Sequence, residues 1–164
     1  MDILPGESEV WQYIEKVLAE TARLSGFSEI RTPTIELTDL FCRGVGDTTD
    51  VVSKEMYSFD DKDGSNISLR PEGTAGVARA VIENGLYAGA MPLKLYYTGG
   101  FFRREKPQAG RSREFTQFGT ELYGSTLPEA DAEVILLARD IFRRFGLSGI
   151  KLHINSIGCP ECRP

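Results

Sequence analysis

Between Leu95 and Gly124 the chain reads LYYTGGFFRREKPQAGRSREFTQFGTELYG. From residue 103 to 114, Arg103, Arg104, Lys106, Arg111 and Arg113 stand against only Glu105 and Glu114, in a chain whose net charge is −5. A guanidinium keeps its charge and offers a planar fork of donors, so such an island suits phosphate and carboxylate groups. Beyond it, side chains that alternate along an extended segment put Phe115, Gln117, Gly119, Glu121 and Tyr123 on one face. Thr116, Phe118, Thr120 and Leu122 take the other. An ordinary core strand would fill one face with aliphatics. Here one face offers an aromatic plate, an amide, a bare backbone position and a carboxylate, which is the make-up of a pocket wall. The plainer alternative is a solvated hairpin tip whose arginines serve solubility. The interleaving of polar with aromatic residues argues against it.

A second cluster is RPEGT, Arg70 to Thr74. Pro71 and Glu72 suit a helix start, where an acid meets the positive end of the helix dipole. Gly73 and Thr74 let the backbone come close to a neighbour. On its own, Glu72 reads as a helix-end acid. Cys159-x-x-Cys162 is half of a four-cysteine zinc site or a redox pair, and within this chain no tightly bound metal is expected. His153, beside Lys151 and Asn155, reads as a surface or edge residue without a catalytic role. Cys42, in apolar company, reads as a small buried hydrophobe.

These residues need elements to hold them. The basic island is the turn between two strands, Leu95 to Phe102 and one beginning near Phe115, with Pro107 and Gly110 breaking regular structure between. The opening stretch predicts a helix on Val10, Ile14, Val17 and Leu18, flanked by Trp11 and Leu24 and stopped at Gly26. FSEIRTP predicts a short strand ended by Pro33. Residues 38–50 read as a loop because of Gly44 and Gly46. MYSF and ISLR form a hairpin about Asp63-Gly64. RPEGT opens a helix with an apolar side of Val77, Val81 and Ile82. STLPEADAEVILLARDIFRRFG predicts another, with Thr126 and Glu129 at capping-box spacing and a stripe of Val134, Leu137, Ile141 and Phe145. GIKLHINSIG reads as a last strand. Helices and hairpins alternate without a regular βαβ repeat, so the expected class is α+β, a mainly antiparallel sheet with flanking helices, rather than a Rossmann-type sheet.

At 164 residues, 41% hydrophobic and 26% charged, the chain suits one domain with a real core. No apolar run is long enough for a membrane span, and the N-terminus lacks the form of a secretory signal. Three cysteines without a secretory context argue for the cytosol over a disulfide framework. The acidic balance confines any RNA contact to a local patch.

The 95–124 stretch closely resembles motif 2 of class II aminoacyl-tRNA synthetases, in the form found in histidyl-tRNA synthetases. RPEGT matches a stretch of the same family, and residues 10–33, with Glu29, Arg31 and Pro33, resemble motif 1. The resemblance implies the class II fold, ATP with Mg²⁺, L-histidine and tRNA(His) as ligands, and a homodimer through the motif 1 region. It implies that Arg103 grips the α-phosphate and the amino-acid carboxylate. Glu105 would contact the adenine amino group, Arg111 the distal phosphates, and Phe115 would stack on adenine. Glu72, Gly73 and Thr74 would hold the α-amino group, with Gln117 and Glu121 facing the bound histidine and Arg113 near the tRNA acceptor end. Motif 3, a histidine-specific RGLDYY-type segment and the anticodon-binding domain have no match in residues 1–164, and the start looks clipped at Met1. The expectation is an N-terminal part of the catalytic domain, with zinc at Cys159 and Cys162 completed elsewhere if at all. The alternative is a paralogue, the regulatory subunit of ATP phosphoribosyltransferase. It tends to depart from the synthetase pattern at the positions held here by Glu72, Gly73 and Glu105.

Overall fold

A computed structural model describes residues 2–45, 55–104 and 110–155. In chain order the elements are α1 (Ser8–Leu24), β1 (Ser28–Glu29), β2 (Ile35–Leu37), α2 (Thr38–Val45), β3 (Tyr57–Asp60), β4 (Asn66–Leu69), α3 (Thr74–Glu83), β5 (Leu93–Phe102), β6 (Glu114–Tyr123) and α4 (Pro128–Arg144). They make two three-stranded sheets, β1-β5-β6 and β2-β4-β3. β1 runs parallel to β5, and every other pairing is antiparallel. The fold is α+β and dominated by antiparallel pairing, as the alternation of hairpins and helices predicts.

β5 is apolar on both faces because it lies in the middle of its sheet with helices on either side. On one face Tyr96 packs with Ala22 and Phe27, at and just after α1, and with Leu137 and Ile141 of α4, Phe118 joining from β6. On the other face Leu95, Tyr97 and Phe101 pack with Val77 and Val81 of α3, and Phe115 and Tyr123 close the edge. The register sets Tyr97 opposite Gly119, Leu95 opposite Glu121 and Phe101 opposite Phe115. Odd-numbered positions of both long strands thus share the α3 face. Lys94, on the even face, meets Glu133 of α4 in an ion pair.

Several expectations need correction. Residues 38–45 are a helix, not a loop. A Cβ on Gly44 would sit 2.9 Å from the Cβ of Ala75, so that glycine serves close packing of α2 on α3 rather than a turn. β2, which the sequence reading passed over, adds to β4 with Ile35 opposite Leu69. Ile82 is 67% exposed while Val77 and Val81, four residues apart on the side that meets β5, are buried. Val10 and Leu24 are exposed too; Val17 of the expected stripe is buried, and Thr21 and Ala22 are buried with it. The Thr126–Glu129 box is not made: Leu127 is the N-cap and Pro128 occupies the first turn. Residues 150–155 form no strand, and Ile150, Leu152 and Ile154 are exposed, since no described strand edge lies beside them to complete a ladder. Cys159 and Cys162 lie outside the described residues.

Val77→Ala should cost about 2 kcal/mol of stability, the loss of buried methyl groups plus the space they leave. Ile82→Ala should change it by less than about 0.5 kcal/mol. Denaturant midpoints for the two variants test the facing of α3.

Candidate active site

One tyrosine ring fills the centre of the α3 face. A Cβ on Gly73 would lie 2.3 Å from the Tyr97 ring, and a Cβ on Gly119 would lie 2.3 Å from its hydroxyl-bearing edge. Both glycines therefore exist to admit Tyr97, which lies between the 70–74 segment and β6. This is the neighbour that Gly73 was expected to let in. The bare position expected at Gly119 is filled by the cross-strand ring.

Around that ring the polar residues converge. Thr74 Oγ1 donates to Glu121 Oε1 at 2.8 Å. Gln117 Nε2 reaches the Tyr97 hydroxyl at 3.5 Å, the long limit of a hydrogen bond. Glu72 accepts from the amides of Thr74 at 2.6 Å and Ala75 at 2.9 Å, so its carboxylate closes the N-terminus of α3. The helix-end role is thus realised, and an ionised carboxylate with about four acceptor sites still has capacity beyond those two amides. Burial raises the pKa of Glu121 above the ordinary carboxylate value, the Thr74 hydrogen bond opposes this, and the charge of Glu72 adds to it.

At the other end of the same face stands Arg103. Its Nε donates to the carbonyl of Pro71 at 3.0 Å, and its guanidinium carbon lies 5.2 Å from the centre of the Phe115 ring. Its backbone amide donates to Arg113 O at 2.9 Å, which closes the hairpin just beyond the paired strands. Arg111 and Arg113 are exposed on the returning arm. Glu105 lies outside the described residues. So Glu72, Gly73, Thr74, Arg103, Phe115, Gln117 and Glu121 come together on one face, while Arg111 and Arg113 stand at its rim. Among the described residues no group of three or more His, Cys, Asp or Glu side chains gathers as a metal site. No helix among them is long and apolar enough to cross a membrane.

The chemistry of this layout is directional. Two carboxylates lie at the Glu72–Glu121 end and a guanidinium at the Arg103 end, with an aromatic floor between. A ligand with a cationic end and an anionic end, such as a free amino acid, meets matching charge at both. The sequence reading missed Tyr97 and Arg70. Tyr97 looked like one more aromatic in an apolar run, and the signal for it was the pair of glycines that the register sets against it. Arg70 looked like the end of a strand.

Burial, with the charges of Glu121 and Glu72, pushes the Tyr97 phenol up to about 12, against the Thr74 hydrogen bond and the charge of Arg70. Burial and the neighbours Glu121, Tyr97 and Glu72 push Tyr123 up to about 12 as well. Both folded values lie above the ordinary phenol value of 10.0. The stability that the neutral phenols contribute is complete below about pH 10 and is lost as pH rises through about 12. An absorbance titration of the folded chain should show late-ionising phenols, and Tyr97→Phe should remove one of them.

Comparison with known proteins places relatives beside this chain. The histidyl-tRNA synthetase family profile matches residues 1–159. A relative named histidine–tRNA ligase from Desulforamulus reducens is 59% identical over 163 residues, 99% of this chain and 39% of its own length. The apo histidyl-tRNA synthetase of S. aureus superposes with a TM-score of 0.77 at 42% identity, covering 90% of this chain and 34% of that one. A Bacillus halodurans protein described as an ATP phosphoribosyltransferase regulatory subunit/histidyl-tRNA synthetase also gives 0.77, at 33% identity, with 90% and 37% covered. The chain spans about two-fifths of the length of the curated relatives it matches. A class II synthetase fold, a site whose charges run from carboxylate to guanidinium, and a family match across nearly all residues lead to one assignment: this chain belongs to the histidyl-tRNA synthetase family.

Proposed function

We propose that this chain is part of the catalytic core of a cytoplasmic histidine–tRNA ligase, which joins L-histidine to ATP and passes the histidyl group to tRNA(His). The observation that carries the reading is the union of Glu72, Thr74, Gln117 and Glu121 with Arg103 on one face of β5 and β6. The histidine α-ammonium lies toward Glu72 and Thr74, and its ring N–H is accepted by Glu121. The histidine carboxylate attacks the α-phosphorus of ATP, the new O–P bond gives histidyl-adenylate, and pyrophosphate leaves. Negative charge grows on the phosphoryl oxygens during this step, and a fixed guanidinium at Arg103 meets it. Positioning and electrostatics suffice, so no protein nucleophile is needed. ATP enters with Mg²⁺ on its phosphates, which suits a cation that keeps waters and few carboxylate ligands. Phe115 stacks on adenine, Glu105 meets the adenine amino group and Arg111 the distal phosphates. In the second step a hydroxyl of the tRNA acceptor end attacks the adenylate carbonyl and AMP leaves, with Arg113 near that end. α1 and the β1 segment, residues 10–33, form a homodimer contact.

The regulatory-subunit reading is the second candidate, and the Bacillus halodurans protein keeps it in view. Glu72, Gly73 and Glu105 are all present here in the synthetase form, and the relatives at 55–59% identity carry the ligase name, so charging is favoured.

ATP–pyrophosphate exchange by the full-length protein, with histidine and with other amino acids, tests the assignment. Exchange that depends on histidine is expected, and its absence overturns the reading. Arg103→Ala should lower exchange by more than about a hundredfold, the cost of one preorganised donor at a developing charge. Near-normal exchange would remove Arg103 from the phosphate site. Glu121→Ala should raise the KM for histidine far more than that for ATP, because it strips the acceptor from the ring N–H. Equal rises would make Glu121 a structural residue.

A further inference from the structure

Arg70 is held more completely than a strand-end residue requires. Its Nε donates to Gly100 O at 2.9 Å, and Nη1 donates to Thr32 O at 2.9 Å and reaches Thr32 Oγ1 at 3.3 Å. Its own amide donates to Thr34 O at 2.9 Å, and its carbonyl accepts from Phe102 N at 3.0 Å. The side chain and backbone therefore tie the end of β4 to the β1–β2 connection on one side and to β5 on the other. A Cβ on Gly99 would lie 2.4 Å from Nη2, so β5 is bare at the one place where the guanidinium crosses it.

Two routes lead from Arg70 to Arg103. One is the backbone, since the next carbonyl along the chain, Pro71 O, is the acceptor of Arg103 Nε. The other is a stack. The Arg70 guanidinium lies 4.5 Å from the centre of the Phe101 ring, the Phe101 and Phe115 rings are 6.2 Å apart, and the Arg103 guanidinium lies 5.2 Å from Phe115. Cation, ring, ring and cation follow one another along the odd face of the two strands. Each cation is attracted to the ring it covers, so a shift of Arg70 is felt by Phe101, then by Phe115 and Arg103. Burial lowers the Arg70 pKa, and the neighbouring Tyr97 and Glu36 oppose that shift.

We propose that Arg70 is a positioning residue for adenylate formation. Resting on the ligase reading above, it sets the Pro71 carbonyl and the Phe101–Phe115 stack, and through them fixes Arg103 and the adenine platform. A lysine keeps the charge but has no planar fork to serve Gly100 and Thr32 together. An alanine at Gly99 keeps Arg70 intact but forces its guanidinium aside.

The test uses the full-length protein, with rates expressed per folded active site. Arg70→Lys and Gly99→Ala should each lower kcat for pyrophosphate exchange by about tenfold or more, with the KM for histidine changed by less than about threefold. In Arg70→Ala, added guanidinium ion should restore part of the lost kcat, and it should not do so in Gly99→Ala. A residue that only stapled the sheets would lower the folded fraction and leave kcat per folded site unchanged, and that result in Arg70→Lys and Gly99→Ala overturns the proposal. If Arg70→Ala does not fold, those two variants still decide it. A wild-type protein without histidine-dependent exchange overturns the ligase reading and this proposal together, whereas an active wild type with unaffected variants overturns only the role of Arg70.

Discussion

The Tyr97 ring between Gly73 and Gly119 is the contact on which the rest of the site depends. Protein interiors are packed too densely for a ring to share its space with even one extra methyl group. Two separate parts of the chain must therefore be bare at the same point, and both are. Once the ring is seated, the 70–74 segment can lie only at one height above β6. That height lets the Thr74 hydroxyl reach Glu121 and lets the Glu72 carboxylate turn back on the α3 amides. Pocket geometry here follows from a steric fit. The hydrogen bonds then select the orientation within it.

Electrostatics add a gradient across the same surface. Burial raises the cost of charge on Glu121, and Glu72 raises it further. A cation placed between them would relieve both charges. At the far end, the Arg70 and Arg103 guanidiniums bracket two phenylalanine rings rather than two carboxylates. Cations held by rings and carbonyls keep their net charge. Salt-bridged ones would have spent it.

Much of this was legible in the residues. Alternation in β6 gave the set of side chains that share its odd face, and the hairpin, α1, α3 and α4 follow from periodicity and turn chemistry. What escaped was information that lives in pairs of distant positions. Gly44 reads as a loop residue until Ala75 is set against it. Gly119 reads as a vacancy until register brings Tyr97 across. Strand β2 is only Ile35–Leu37, too short for alternation to register, and it exists because β4 offers it an edge. The reverse error was made at 150–155, where alternation is clear but no described edge receives it. The Thr126–Glu129 spacing likewise matched a cap that Pro128 replaced by entering the helix first.

The division of β6 into two faces has a consequence for how this segment can change. Its odd positions face α3 and the 70–74 segment, and its even positions face α1 and α4. Either set can be altered residue by residue with little effect on the other. Insertion or deletion of a single residue is different, because it rotates the following side chains by half a turn. Glu121 would then point into the apolar layer beneath α4, and Leu122 into the pocket. Substitution is thus open to β6 at many positions, whereas its length from Glu114 to Tyr123 is fixed by the sheet itself.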